Sequence, residues 1–201
     1  MIIHEMKQGS EEWHLIKCGK ISASSMSDVL AKGKGVTRRN YMLRLLAERL
    51  SGIPQETYSN GAMQWGIETE PMARMAYEAS TLTVVDQVGF IEVNEFLGCS
   101  PDGLVCDDGG CELKCPFTST HLNYILEEKS LLNDYFCQVQ STLWMTKRKW
   151  WDLSSFDPRV PSHPLHTVRV ERDESYIDLI SHGVDTFIAE MLELENKIKG
   201  V

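Results

Sequence analysis

The 201-residue sequence has no apolar run near the roughly 20 residues that span a bilayer, and no basic-then-apolar segment of the secretory kind opens it. The expectation is therefore a protein of a reducing cytoplasm. Its six cysteines (positions 18, 99, 106, 111, 115 and 137) include no CxxC pair, which argues against a zinc or iron–sulfur site although four fall between Cys99 and Cys115. They read instead as small apolar side chains on a hairpin. Positive charge is also short: 20 Lys and Arg face 29 Asp and Glu, a net charge of −9. That balance excludes a protein that coats nucleic acid by bulk attraction. It leaves room for a DNA enzyme with a local basic track, because carboxylates gathered at a metal site add to the negative count. No repeat or Pro/Gly-rich linker divides the sequence, so residues 1–201 read as one domain.

The order of elements reads as α/β or α+β. Ser22 to Ala31 carries capping residues before helix formers, and Lys32-Gly33-Lys34-Gly35 reads as a flexible basic loop. A helix is predicted over about 38–50, stopped by Gly52 and Pro54, and another over about 62–80 with a bend or restart at Pro71. Strands are predicted over 88–93 and 98–105, a turn at 107–110, and a third short strand over 111–116 ended by Pro116, together a β-meander. Helices over 123–129 and 135–145, strands over 150–156 and 165–170, and an amphipathic helix over 176–199 complete the reading. Trp150-Trp151 after Lys147-Arg148-Lys149 fits a strand entering the core better than a DNA-binding strip.

The sharpest local pattern is Ser100-Pro101-Asp102-Gly103, a turn, and then Glu112-Leu113-Lys114, of the form PD…ExK. The strand period of two puts Glu112 and Lys114 on one face, while Leu113 points into the core and offers its backbone carbonyl. Two carboxylates and a carbonyl form a hard oxygen set suited to Mg²⁺ or Mn²⁺. A lysine beside a metal-bound water eases its deprotonation for attack on phosphorus. On this motif alone, a turn followed by a cross-strand ion pair fits equally well.

Further strings narrow the choice. Gln8-Gly9-Ser10-Glu11-Glu12-Trp13-His14, Gly19 to Ser24, Trp65-Gly66, Glu70 to Arg74, Cys99 to Leu104, Glu112 to Ser119, Gln138-Val139-Gln140 with Trp144, and Asp157-Pro158-Arg159 occur in this order. In order and spacing the sequence resembles the lambda-exonuclease-like and YqaJ-type viral recombinase nucleases, over most of its length. The resemblance implies a restriction-endonuclease-like core with a central mixed sheet flanked by helices. It also implies a Mg²⁺-dependent 5′-to-3′ exonuclease, phage or prophage encoded, acting in the bacterial cytoplasm on ends of linear duplex DNA. Such an enzyme hydrolyses one strand to 5′-mononucleotides and leaves a 3′ single-stranded tail for a single-strand annealing protein. A homotrimeric ring and one or two metal ions per site are implied as well.

Carried over by position, Asp102, Glu112 and the Leu113 carbonyl would bind metal, Glu70 a metal or its water, Lys114 would activate the nucleophile, and Gln138 would position it. Glu92 stands nearest a further acidic ligand. A 5′-phosphate pocket would involve Lys17, Ser24, Ser100 and Thr120, although Lys17 and Thr120 stand where the family example carries arginines. Lysine keeps the charge without the planar fork, and threonine loses it. Arg38 and Arg39 would restore it, or are ordinary residues at a helix start. Met63 would wedge between bases at the duplex end, or else packs in the core. Two rival classes remain: a non-catalytic DNA-end or annealing-protein binding module, and a restriction-type endonuclease.

Overall fold

A computed structural model describes residues 1–32, 35–55 and 61–200; two residues of the expected basic loop, at 33 and 34, lie outside them. The chain begins with β1 (Ile2–His4), α1 (Glu11–Lys17), β2 (Ile21–Ser22), a 3₁₀ turn (Ala23–Ser25), α2 (Met26–Leu30), α3 (Thr37–Ser51) and α4 (Gly61–Thr81). It continues through β3 (Val85–Asp86), β4 (Phe90–Glu92), β5 (Leu97–Cys99), β6 (Gly103–Val105) and β7 (Gly109–Lys114). Helices α5 (Thr118–Leu126) and α6 (Glu128–Thr146), strands β8 (Trp150–Phe156) and β9 (Leu165–Glu171), and α7 (Glu174–Lys199) follow.

The fold is mixed α/β, with the mixed central sheet flanked by helices that the sequence reading expects and a second, smaller sheet beside it. One runs β1-β4-β5-β2 and the other β3-β6-β7-β8-β9. The expected meander is broken between β5 and β6, where Pro101 has no N–H to give to a ladder and the chain passes from one sheet to the other. Asp102 thus sits where the sheets meet. The turn at 107–110 is shorter than expected, because Gly109 and Gly110 belong to β7. Its parallel partner β8 lays Trp150 and Trp151 in the space their side chains would fill. The double tryptophan is accordingly sheet packing, with Trp151 fully buried, and Lys149 pairs with Asp108 at 2.9 Å.

The larger sheet is covered on both faces. Ala73 and Tyr77 of α4 pack on Cys111 and Leu113, while Leu131, Val139 and Leu143 of α6 join Trp151 and Leu153 on the opposite face. Ile180, Val184, Phe187 and Met191 of α7 extend that second cluster toward α2 and α3. Helix α4 runs through Pro71 without a restart. Pro71 and Ile67, whose carbonyl loses its helical donor, both lie on the exposed face, where solvent can satisfy that group. Of the cysteines expected on a hairpin, Cys99 and Cys111 are buried, but Cys106 is exposed on the turn.

Asp157, wholly buried after β8, ties three elements together. It accepts from Thr118 Oγ1 at 2.6 Å and from Arg159 Nε and Nη2 at 2.8 and 2.9 Å, and the Arg159 guanidinium lies 4.1 Å from the Trp65 ring at the start of α4. Burial acts to raise the pKa of this carboxyl, but the Arg159 and Thr118 donors outweigh it and hold the group at about 2, below the ordinary 3.8. The stabilisation is thus fully present above about pH 4 and is lost as pH falls toward 2. Asp157→Asn is expected to cost roughly 2 kcal/mol at pH 7, at about 1.4 kcal/mol per pKa unit. In urea unfolding the deficit should shrink below pH 3. A deficit unchanged between pH 7 and pH 2.5 would show that the charge plays no part.

Candidate active site

Alternation along β7 sends Cys111 and Leu113 under α4 and turns Glu112 and Lys114 toward α6. There the two side chains meet Gln138. Lys114 Nζ donates to Glu112 Oε1 at 2.6 Å, Gln138 Nε2 donates to the same oxygen at 2.6 Å, and Lys114 Nζ reaches Gln138 Oε1 at 3.4 Å. The ring of Tyr135, one helical turn before Gln138, has its centroid 4.6 Å from Lys114 Nζ. Tyr135 is set in turn by an edge contact with Tyr124, whose hydroxyl donates to Asp134 at 2.7 Å.

Asp102 approaches from the connector between the sheets, where Oδ2 accepts from Leu113 N at 2.6 Å. Its pKa is pushed well up, first by desolvation and then by the charge of Glu112, with Glu70 adding and Lys114 opposing. Glu70 on α4 is raised by desolvation, and Glu112 adds to it while Arg74 and Lys114 pull it down. Desolvation works against the Lys114 charge, but Glu112 and Asp102 reverse that, and the ammonium is held above its ordinary value. Glu70, Asp102, Glu112, Lys114 and Gln138 are therefore brought into one neighbourhood.

The donor set suits a hard divalent cation. It consists of carboxylates that raise one another's pKa beside a strand carbonyl, and such mutual repulsion is relieved by a shared positive charge. The carboxylates are not drawn tightly round one point. Among the described residues no three His, Cys, Asp or Glu side chains enclose an ion position, Glu112 being turned to Lys114 and Gln138 and Asp102 to the Leu113 amide.

Glu92 is not brought to this cluster. Burial raises its pKa, but His4 and Lys20, at 3.1 and 3.4 Å, take its carboxylate and leave it lowered. Arg38 is also committed elsewhere, because its Nη atoms clasp Glu190 of α7 and its Nε donates to Val29 O at 3.1 Å. Arg39 lines a small surface cleft with Glu190 and Glu193. Met63 is 51% exposed at the start of α4, which removes the core-packing alternative.

The residues assigned to the phosphate pocket are brought together in part. Strands β2 and β5 are parallel, with Ser22 opposite Gly98, so Ser24 and Ser100 leave the sheet at the same end. Trp13 bridges to them: its Nε1 donates to Ser100 Oγ at 2.9 Å, and Lys17 Nζ lies 3.4 Å from its ring centroid. Desolvation first, and the Arg44 charge second, lower Lys17 to about 8 against the opposing pull of Glu48. Thr120, in the first turn of α5, makes no side-chain hydrogen bond to Lys17, Ser24 or Ser100 among the described residues. Sequence reasoning missed Tyr135 and Arg44. The only signal for either is helical spacing, three residues before Gln138 and three after Tyr41.

Comparison with known proteins agrees with this architecture. Residues 12–149 match the YqaJ-like viral recombinase domain. The structure is similar to LHK-Exo, an alkaline exonuclease from Laribacter hongkongensis, with a TM-score of 0.87 and 39% identity over 94% of this chain and 96% of that one. A structure of LHK-Exo in complex with dAMP matches equally well. A phage-related exonuclease from Haemophilus somnus 129PT shares the fold, at a TM-score of 0.73 and 18% identity, over 89% of this chain and 96% of that one. A 65-residue stretch is 34% identical to ExoD of Escherichia coli K12, over 32% of this chain and 75% of that protein. With the domain match spanning most of the sequence and a 39% identical relative covered almost end to end, the chain belongs to the YqaJ-like viral recombinase family and has the alkaline exonuclease fold.

Proposed function

We propose that this protein is a divalent-metal-dependent exonuclease that degrades one strand of linear duplex DNA from its 5′ end. The observation that carries the proposal is the Lys114 ammonium, held between Glu112, Gln138 and the Tyr135 ring and facing the acid pair Asp102 and Glu70. The fold shared with alkaline exonucleases supports it, as does the complex of LHK-Exo with a deoxynucleoside monophosphate. The 5′-to-3′ polarity, the 3′ single-stranded tail, the annealing partner and the homotrimeric ring rest on the family resemblance.

Asp102, Glu112, the Leu113 carbonyl and Glu70 would hold Mg²⁺, with Mn²⁺ able to substitute. The bound ion would supply an acidified water and charge neutralisation at the scissile phosphate. Lys114, whose Nζ donates to Glu112 and reaches Gln138, would donate to the attacking oxygen and stabilise negative charge there. Gln138, which both donates and accepts here, orients the water. Attack forms a new P–O bond at the second phosphate and breaks the bond to the 3′ oxygen of the terminal nucleotide. A 5′-mononucleotide leaves, and the shortened strand ends in a fresh 5′-phosphate.

Incubating end-labelled linear duplex and covalently closed circular duplex with Mg²⁺ tests the reading. Digestion of the linear form alone, with label lost first from the 5′ end, is expected, and chelation by EDTA should stop it. Cutting of the circle would point to an endonuclease, and no digestion of either form to a binding module. Lys114→Ala should lower the rate at least about a hundredfold in a variant shown by circular dichroism to be folded. A folded Lys114→Ala variant of near-normal rate would remove the catalytic assignment.

Tyr135 is a positioning residue. Tyr135→Leu should reduce kcat roughly tenfold with KM little changed, while Tyr135→Phe, which keeps the ring face, should stay near wild type. Equal losses in the two variants would show that the ring does not hold Lys114.

A further inference from the structure

Most arginines in this protein are committed to acids or carbonyls: Arg38 to Glu190, Arg49 to Glu195, Arg148 to three backbone oxygens, Arg159 to Asp157, Arg169 to Asp152 and Arg172 to Glu174. Arg44 differs. Its guanidinium stacks 4.9 Å from the Tyr41 ring, and its buried Nε has no hydrogen-bond partner. Among the described residues neither Arg44 nor Lys17 forms an ion pair, yet the two cations are close enough for one to act on the other. Glu48, the acid that pulls on Lys17, is held by Gly19 N at 2.8 Å and by Gln55 N at 3.2 Å. One carboxylate against two cations leaves an excess of positive charge, which a bound anion would offset.

The surroundings are those of an anion site. Tyr41 carries Arg44 on its ring while its hydroxyl accepts from Ser22 N at 3.2 Å, and Ser22 Oγ lies 3.1 Å from Ser24 Oγ and 3.3 Å from Ser25 Oγ. On the other side Lys17 and Ser100 share Trp13. Ser24 and Ser100 both follow the carboxyl ends of the parallel strands β2 and β5. Ser100 is two residues from Asp102, a backbone reach of at most about 7 Å, which is the scale of one nucleotide.

Resting on the nuclease reading above, we infer that Arg44 is the second cation of the terminal-phosphate site. With Lys17 it recognises the 5′-phosphate of the strand being digested, in the place of the charge that Thr120 lacks. Its guanidinium offers the planar fork that Lys17 does not. Each cycle of hydrolysis leaves a new 5′-phosphate, so the site engages every successive end as well as the first.

The test compares steady-state hydrolysis of one linear duplex carrying either a 5′-phosphate or a 5′-hydroxyl. Wild type should prefer the phosphate, and inorganic phosphate should compete with the phosphorylated duplex. Arg44→Gln should raise KM for the phosphorylated duplex about 10- to 100-fold, the value of a charge-assisted hydrogen bond. Its kcat and its behaviour on the hydroxyl duplex should stay within about twofold, so the preference collapses. Arg44→Lys should fall between the two. A folded Arg44→Gln that keeps the wild-type preference overturns the inference. If that variant does not fold, an undiminished preference in Arg44→Lys together with no competition by phosphate in wild type overturns it. Wild type digesting both duplexes equally would remove the phosphate site and leave the nuclease reading standing, whereas digestion of neither would remove the nuclease reading itself.

Discussion

The contact on which the site depends is the short hydrogen-bonded ion pair between Lys114 and Glu112, capped by Gln138. A lysine this enclosed would lose its proton if burial acted alone. Glu112 and Asp102 keep it charged, and their own repulsion is eased by the same ammonium. Strand and helix are thereby bound to each other: β7 supplies the acid and the cation paired with it on one face, and α6 supplies the amide and the aromatic ring that meet them. Breaking one partner leaves a buried charge uncompensated, which is the costly way to lose an ion pair.

Around this centre the protein separates its charges. Net charge is −9, yet the acids of the site are clustered at the junction of the two sheets, while Lys17 of α1 stacks on Trp13, which reaches Ser100 of the connector, and Arg44 of α3 acts on Lys17. Pro101 is the hinge of this arrangement. By ending the β5 ladder it moves the chain from the smaller sheet to the larger, with Ser100 left beside Trp13 and Asp102 delivered to β7.

Much of the site was legible because strand periodicity needs only neighbours. Glu112 and Lys114 share a face by alternation, and the long helices α3 and α7 follow from apolar spacing with Gly52 and Gly200 closing them in the left-handed region. Other features depend on contacts far apart in sequence. Glu70 reaches the cluster only because Ala73 and Tyr77 lay α4 across β7. Glu92 reads as a spare acid until β1 brings His4 against it, and Arg38 as a free cation until α7 brings Glu190. The two-sheet division was hidden because every strand before β7 is only two or three residues long, and short apolar runs do not state their partners.

The central claim is that Asp102 and Glu112 form a divalent-cation site beside Lys114. Calorimetric titration of the protein with Mn²⁺, in the absence of DNA, measures that directly. The account predicts saturable binding by wild type that is lost in folded Asp102→Asn and Glu112→Gln variants. Binding of equal strength in both variants and wild type would contradict it.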